Sequence, residues 1–386
     1  MDHRRNGLDT LRSAAILLVF ANHYYGFVSD NPTFGMVSVL GWAGVDLFFV
    51  LSGYLIGDQI LSGIAKGRTL SLPAFYKRRL LRTLPDYWVV LALFFAFPAF
   101  MGGREPPPLW RFLTFTQNFL LTPGTAFSHA WSLCVEEQFY LVLPLLCVLF
   151  ARAGMPRLAA WATFGTLLAV GIAARWYYWA HYGLVNGDPA WSRAPYYGRV
   201  YYGTLGRFDE FLPGVAIAFT KNLYPAAWEK ITARGNIWLM AGIAAVVAVG
   251  YLFWDGNYVK GYGYGFTATV FGYSLVAMSF GLLVLAALSP GSALDRLRIP
   301  GATSLALWSY AFYMIHKPII VILHRELPGW DPDAPRTAAL MFGASLAGAW
   351  LIYKLVETPF MRLRRTVAPG NFAAPVAFRT EPAHAE

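Results

Sequence analysis

Residues 236–254 read NIWLMAGIAAVVAVGYLFW and residues 268–288 read ATVFGYSLVAMSFGLLVLAAL, with no charged side chain in either stretch. Each is close to the roughly 20 apolar residues that a helix needs to cross a bilayer. The whole chain has this character, because 57% of its 386 residues are hydrophobic and 13% are charged, whereas a soluble domain is about 25% charged. The sequence predicts an all-α integral membrane protein and excludes a disordered chain.

Further stretches of similar length predict a bundle of about ten transmembrane helices. The fourth and the sixth are the weakest, because their apolar cores are short. The ten stretches cover residues 11–29, 36–57, 83–101, 131–151, 157–178, 208–222, 236–254, 267–288, 303–324 and 337–356.

Basic residues are distributed unevenly between the two sides of this bundle. With a cytoplasmic N-terminus, the inside segments carry 21 of the 31 Lys and Arg residues. Such an excess marks the cytoplasmic side of a membrane protein, so both termini are predicted to be cytoplasmic. Residues 1–365 are predicted to form one membrane domain, and residues 366–386, which contain many Ala and Pro, a disordered cytoplasmic tail.

Composition also limits the ligands that we expect. Cys134 and Cys147 both lie in an apolar stretch, which excludes a disulfide framework. The seven histidines show no HxxxH spacing, so we predict no metal. The formal charge of +10 reflects membrane topology in a chain of this kind, and we predict no nucleic-acid partner.

Ionisable side chains nevertheless fall inside the predicted membrane region. A charge at the centre of a bilayer costs about 2.5–3.5 kcal/mol even on the mildest scale. Each such residue is therefore a candidate functional residue, and the alternative is an internal ion pair that holds helices together. The residues are His23, Asp46, Glu136, Glu137, Lys317 and the basic cluster at 77–82.

Two pairs of these residues have informative spacing. Arg12 and His23 are eleven residues apart, which places them on one face of a helix and about 16 Å apart along its axis. Arg79 and Arg82 are three residues apart and therefore share a helix face. Arginine suits phosphate, although ordinary positive-inside anchoring explains the same cluster.

Glu136 lies five residues into the fourth stretch and is expected at a depth close to that of His23. A carboxylate at this depth predicts a partner that stabilises His23 as it takes a proton, with Asp46 as the rival partner. Trp131, Ser132 and Tyr140 are possible substrate-binding residues, while packing or an interfacial position is the alternative for each. Asp46 is also predicted to bind substrate.

Seven motifs, in order, resemble the acyltransferase family 3 membrane enzymes, which include O-antigen and peptidoglycan acetylases. The resemblance runs from residue 7 to about residue 362, and Arg12 and His23 fit the family's Arg-x10-His pattern. The motifs are GLDTLRSAAILLVFANH, GVDLFFVLSGYLI, FYKRRLLRTLP, WSLCVEEQFYLVLPLL, RFDEFLPGVAIA, SYAFYMIHKPI and VETPF.

The resemblance implies transfer of an acyl group, acetyl by family frequency, from cytoplasmic acyl-CoA to a hydroxyl outside a bacterial inner membrane. It implies that His23 is the catalytic base and that Arg12, Arg79 and Arg82 lie at the CoA end; the pairing of Glu136 with His23 follows from their expected depth. Only about 30 residues follow the tenth stretch, so the membrane domain is expected to complete the transfer alone or with a separate protein.

Several alternatives stay open at this stage. A multi-pass transporter also uses intramembrane His, Asp and Glu as a proton relay, although the chain shows no internal repeat of the kind common in transporters. The acceptor, expected to be a carbohydrate or glycolipid, is not determined by the sequence. Membrane lipids are expected partners, and the oligomeric state is undetermined because lipid-facing and subunit-facing surfaces are equally apolar.

Overall fold

The computed structural model describes residues 6–103, 105–182, 196–254, 258–259 and 263–372. Within these residues, ten helices of twelve residues or more each overlap one of the ten predicted stretches. They are α1 Asn6–Phe27, α2 Ala43–Ile64, α3 Leu72–Ala96, α4 Trp131–Arg152, α5 Arg157–Tyr182, α6 Leu212–Leu223, α7 Gly235–Trp254, α8 Tyr273–Leu288, α9 Ala302–Glu326 and α10 Pro335–Ile352.

Shorter segments connect these helices. One of them, the amphipathic helix α11 Thr358–Val367, is joined to α10 by the π-helical segment Tyr353–Glu357. Two short strands, β1 Tyr258–Val259 and β2 Gly263–Tyr264, form an antiparallel ribbon. The other segments are Met36–Leu40, Pro98–Met101, Leu109–Leu113, Ser128–Ala130, Tyr196–Tyr201, Thr204–Arg207, Phe208–Phe211, Pro225–Thr232, Ala268–Gly272, Ala293–Arg296 and Tyr353–Glu357.

Seven helical segments among the described residues are long and apolar enough to cross a membrane, which agrees with an all-α membrane protein. These seven contain α2, α4, α5, α7, α8, α9 and α10. The other three helices are shorter or more polar: α6 has twelve residues, and α1 and α3 contain several ionisable side chains. The chain is therefore a multi-pass membrane protein, and a crossing by all ten helices remains a prediction.

Two predicted boundaries differ from the structure in a way that matters for the site. Helix α3 begins at Leu72, where the Ser71 hydroxyl caps the helix and Pro73 occupies the first turn. The basic cluster at 77–82 is therefore helical. The predicted stretch at 36–57 is divided at residues 41 and 42, between the segment Met36–Leu40 and α2. At this break Gly41 lies against α1, where a Cβ would lie 2.2 Å from the Leu18 carbonyl oxygen.

Small residues allow the inner helices to approach closely. A Cβ at Gly53 of α2 would lie 2.2 Å from the Phe211 carbonyl oxygen, and a Cβ at Gly214 of α6 would lie 2.0 Å from the Val50 carbonyl oxygen. Such close contacts between backbones are typical of helices packed in a membrane. They fix α2 against α6 at the level of the adjacent Ser52.

Hydrogen bonds group the connecting segments at two opposite faces. At one, called the α11 face, the Ser71 amide donates to the Asn371 carbonyl at 2.9 Å and Arg78 donates to the Ala368 carbonyl at 2.5 Å. At the other, called the Asp333 face, the Tyr24 hydroxyl donates to the Pro332 carbonyl at 2.6 Å. The α11 face contains the segments that the sequence predicts to be cytoplasmic.

The first seven residues of the predicted disordered tail, 366–372, have a defined structure. Residues 366–367 complete α11, and residues 368–372 pack on the segment that precedes α3, where Phe372 pairs with Leu70 and its ring lies under Arg68. Backbone hydrogen bonds hold this part of the tail in place. The remainder of the prediction, residues 373–386, lies outside the described residues.

Candidate active site

A cavity of about 650 Å³ lies inside the bundle and extends to the α11 face. We call it the chamber. Two carboxylates, Glu136 and Glu357, line it together with a larger number of guanidinium groups. The arginines that line the chamber are Arg12, Arg79, Arg82, Arg362, Arg364 and Arg365.

The chamber arginines are poorly neutralised by the protein. Arg82 forms an ion pair with Glu357, and the Arg79 guanidinium stacks on the ring of Tyr140, with its carbon 3.9 Å from the ring centre. The Nε atoms of Arg79 and Arg364 are buried and have no hydrogen-bond partner among the described residues. Buried donors without acceptors are unfavourable, so the chamber is suited to an anionic ligand.

The deep end of the chamber is formed by hydroxyl groups around one carboxylate. The Glu136 carboxylate accepts hydrogen bonds from the Ser52 and Tyr140 hydroxyls, whose oxygens lie 3.1 Å apart. Beyond them, the Ser132 and Tyr313 hydroxyls are 2.7 Å apart. Glu136, Ser132 and Tyr140 thus line the same cavity as the predicted donor-binding arginines.

Three histidines lie together between the chamber and the Asp333 face. His23 Nδ1 is 2.7 Å from His316 Nε2, and the His316 Nδ1 atom is 2.9 Å from the Phe312 carbonyl oxygen. A carbonyl only accepts, so His316 carries its proton on Nδ1 and its Nε2 accepts from His23. The neutral His23 ring therefore presents an unprotonated Nε2, which is the atom that a general base requires.

The third histidine, His129, is held by a strained turn. Phe127 adopts a left-handed backbone conformation with φ of 56°, which is unusual for a bulky residue. The centres of the Phe127 and His129 rings are 5.1 Å apart. His129 Nε2 donates to the Met314 carbonyl at 3.2 Å, so Nδ1 carries the lone pair. This Nδ1 is buried and has no partner among the described residues.

The side chain predicted to pair with His23 is not the one that contacts it. Among the described contacts, His316 takes the position expected for Glu136 or Asp46. Equal depth along two helices does not bring side chains together, because the rotation of each helix decides which neighbour it faces. Glu136 faces α2 and the chamber instead.

Asp46 and Trp131 also lie elsewhere than expected for substrate-binding residues. Asp46 is fully buried and forms an ion pair with Arg207 at 3.1 Å, and Arg207 forms a second one with Glu210 at 2.7 Å. Trp131 is 3% exposed and packs on the same Arg207 guanidinium. Neither side chain lines the chamber, so both belong to the internal support of the bundle.

A second buried arginine extends this support. Arg175 of α5 binds Asp209 through two parallel hydrogen bonds of 2.7 and 2.9 Å, and Ser274 of α8 joins them at 2.5 Å from each partner. We call Asp46, Arg207, Glu210, Arg175 and Asp209 the buried ion-pair network. It joins α2, α5 and the two short segments before α6, and Ser274 links it to α8.

Sequence reasoning missed several residues of these sites. The three arginines of α11 were read only as part of the positive-inside excess, although their spacing in MRLRR, residues 361–365, places a basic cluster directly after VETPF. His129 lies in none of the seven motifs, and no residue pattern around it predicts a functional role. His316 lies in the motif SYAFYMIHKPI, but its contact with a residue 293 positions away is not encoded in any local pattern.

A different, apolar crevice of about 610 Å³ lies between α4, α5 and α6. Its lining includes Phe139, Leu146, Phe164 and Leu212, with Arg157 at one end. Lipid chains suit such a surface. Among the described residues, no group of three or more His, Cys, Asp and Glu side chains is arranged to hold a metal ion.

The fold and the site together define a multi-pass membrane protein with an arginine-lined chamber beneath a buried histidine cluster. A family model described as an acyltransferase domain matches residues 5–354. The chain belongs to acyltransferase family 3, as its motifs predicted.

Curated relatives are similar over most of this chain. A peptidoglycan O-acetyltransferase OatA from Listeria monocytogenes is 27% identical over 385 residues, covering 92% of this chain and 55% of that protein. An O-acetyltransferase OatA from Staphylococcus aureus is 24% identical over 379 residues, covering 92% and 57%. A putative peptidoglycan O-acetyltransferase YrhL from Bacillus subtilis is 27% identical over 336 residues, covering 82% and 48%.

The chain thus spans about half the length of these relatives. No solved structure shows a significant match to the chain.

Proposed function

We propose that this protein is a membrane-bound O-acyltransferase that moves an acetyl group from acetyl-CoA to a hydroxyl of a glycan. The donor enters from the cytoplasm, and the acceptor is reached on the outer side of the bacterial inner membrane. The observation that carries this proposal is the chamber, in which six arginines meet two carboxylates. Its lining residue Tyr313 contacts His316, which holds His23 with an unprotonated Nε2. The family membership and the O-acetyltransferase relatives support it.

The chamber explains how the donor is held. The adenosine end of CoA carries phosphate groups, and guanidinium groups bind phosphate in a bidentate manner. Arg12, Arg79 and Arg82 are in place for this, together with Arg364 and Arg365 of α11. The phosphates supply the acceptors that the buried Nε atoms of Arg79 and Arg364 lack within the described protein.

The acyl end of the donor then points toward the histidine cluster. Glu136 holds the Ser52 and Tyr140 hydroxyls where the thioester arm passes, which gives Glu136 a positioning role in place of the predicted pairing with His23. Tyr313 lines the chamber, and its ring centre lies 6.0 Å from that of His316. The hydroxyl pair of Ser132 and Tyr313 is therefore the last contact before His23.

His23 acts on the acceptor. A sugar hydroxyl is a weak nucleophile until a base accepts its proton, and His23 Nε2 is free to do so. His316 fixes the tautomer and orientation of His23 through the 2.7 Å hydrogen bond. Peptidoglycan appears in the names of the relatives and is the first acceptor to test.

Purified protein in detergent, incubated with radiolabelled acetyl-CoA and soluble peptidoglycan fragments, tests the proposal. Wild-type protein is expected to release CoA and to label the fragments, and His23→Ala is expected to lower this rate by about 10²–10⁴-fold. Lys354→Met, at an exposed lysine outside the chamber, is the matched control. Equal rates for His23→Ala and wild type would remove His23 from the mechanism.

Orientation is tested separately in whole cells. With Cys134 and Cys147 replaced by Ala, single cysteines at Lys66 and at Gly329 report the two faces. A membrane-impermeant maleimide is expected to label Gly329→Cys in intact spheroplasts and Lys66→Cys only after lysis. The reverse pattern would place the chamber opening outside and contradict a cytoplasmic donor.

A further inference from the structure

Lys317 is a half-buried lysine of α9 that has no role in the proposed reaction so far. It follows His316 on α9, and its Nζ lies 3.1 Å from the Ser128 hydroxyl and 4.1 Å from the centre of the Phe27 ring. An ammonium group has three donors. Among the described residues it forms no ion pair, so most of its hydrogen-bonding capacity remains free.

Within the described part of the chain, Lys317 is close to bases and forms no ion pair with a carboxylate. Three imidazoles lie nearby, with ring centres 5.0–6.2 Å from one another. The unprotonated Nε2 of His23 and the buried, unpartnered Nδ1 of His129 are lone-pair sites. A cation kept inside a membrane without a carboxylate is costly. The cluster therefore suits a ligand that donates through a hydroxyl and carries negative charge on a second oxygen.

We infer that the Lys317 ammonium is a catalytic residue that binds the oxyanion formed during acyl transfer. This inference rests on the proposed function. His23 Nε2 takes the proton of the acceptor hydroxyl while the hydroxyl oxygen bonds to the thioester carbon. The carbonyl electron pair moves to its oxygen, which Lys317 holds. When this pair returns, the carbon–sulfur bond breaks, the sulfur of CoA receives the proton from His23, and the products are the acetyl ester and free CoA.

The positions of the other donors favour Lys317 for this role. The chamber arginines lie toward the α11 face, where the phosphates of CoA are proposed to bind. The Ser132 and Tyr313 hydroxyls are engaged with each other, and Tyr313 also donates to the His129 carbonyl at 2.6 Å. Lys317 is the described cation beside His23, and a preformed cation in a dry site stabilises developing negative charge without reorganisation.

Steady-state kinetics of Lys317→Met and Lys317→Arg, measured as CoA release with peptidoglycan fragments, test this role. Loss of one oxyanion donor lowers kcat by about 10²–10³-fold, so Lys317→Met is expected to show this loss with KM for acetyl-CoA within about twofold. Lys317→Arg retains a cation, so its kcat is expected to be at least about tenfold higher than that of Lys317→Met. Lys354→Met, which removes another lysine that contacts an aromatic ring, is expected to behave as wild type.

Thermal unfolding separates catalysis from folding. Lys317→Met removes a half-buried charge from a helix predicted to cross the membrane and is expected to be at least as stable as wild type. A kcat within about threefold of wild type, or no recovery in Lys317→Arg, would overturn the inference. If wild-type protein released no CoA, the proposed function itself would fail, whereas turnover that depends on His23 and ignores Lys317 would refute the oxyanion role alone.

Discussion

Buried arginines occur in two regions of this protein, and their surroundings are opposite. In the buried ion-pair network, Arg175 and Arg207 are both fully inaccessible, and each contacts at least one carboxylate within about 3 Å. In the chamber, Arg79 and Arg364 have buried Nε atoms with no partner among the described residues. The first region pairs each guanidinium group with a carboxylate, although Arg207 Nη1 and Asp46 Oδ1 have no hydrogen-bond partner there. Arg79 and Arg364 form no ion pair among the described residues, so the second region leaves its charge for a ligand.

The difference separates two uses of the same residue. An arginine paired with carboxylates inside a membrane joins helices, and removal of one partner leaves an uncompensated charge. An arginine that lacks an acceptor adds nothing comparable to the fold, so its presence points to a bound anion. Three substitutions test this division and a fourth concerns a carboxylate outside both regions; they follow from the largest expected effect to the smallest.

Asp209→Ala leaves Arg175 without its bidentate partner. We expect a loss of about 3–5 kcal/mol in the free energy of unfolding, measured by thermal unfolding in detergent. The double variant Arg175→Met with Asp209→Leu replaces the whole pair by apolar groups and is expected to recover most of this loss. A single variant as stable as wild type would show that the network does not hold the bundle.

Arg79→Met is expected to behave in the opposite way. The loss of one charge-assisted hydrogen bond, worth about 1.5–3 kcal/mol, predicts an increase in KM for acetyl-CoA of about tenfold to a hundredfold. Stability is expected to be unchanged or higher, because a poorly neutralised charge has been removed. Destabilisation comparable to that of Asp209→Ala, with KM unchanged, would make Arg79 a structural residue.

Arg365→Gln changes an exposed arginine at the chamber opening. Exposed charges interact weakly, by about 0.2–1 kcal/mol, so KM is expected to rise by less than about fivefold. The difference is expected to disappear in about 1 M salt, where charges are screened within about 3 Å. Arg152→Gln, at the exposed end of α4 and outside the chamber lining, serves as the control. An effect that persists in high salt would place Arg365 in a buried contact.

The smallest effect concerns Asp333, a carboxylate held by neutral groups. Hydrogen bonds with Ser29, Asn31 and Thr33 lower the pKa of Asp333 below its ordinary value of 3.8. Because the pKa of Asp333 is lower in the folded state than in the unfolded state, ionised Asp333 stabilises the fold at pH values above the unfolded-state pKa. This stabilisation is lost as the pH falls through the folded-state pKa. Thermal unfolding of wild type and Asp333→Asn should therefore differ slightly at pH 7 and converge near pH 2. A constant difference would exclude this linkage.

The sequence predicted the helices better than their contacts. Each of the ten apolar stretches overlaps a helix, because hydrophobic length is a property of the local chain. The chamber arginines Arg12, Arg79 and Arg82 were also recoverable, since spacings of three and eleven residues fix positions on one helix face.

Partners on different helices could not be predicted in the same way. His23 and His316 are 293 residues apart, and Asp46 and Arg207 are 161 residues apart. Their contacts depend on how each helix is rotated, which is set by close approaches such as that of Gly53 to Phe211. Depth alone suggested Glu136 as the partner of His23, and the lateral packing of α4 against α2 directed it to Ser52 instead.

The most direct test of the division between the two regions is the thermal shift caused by acetyl-CoA in purified protein. A ligand that binds only the folded state stabilises it by RT ln(1 + [L]/Kd). Wild-type protein is expected to melt at a higher temperature with acetyl-CoA, and the double variant Arg12→Met with Arg79→Met is expected to lose that shift. No shift in wild type, or an equal shift in the double variant, would contradict an arginine chamber built for CoA.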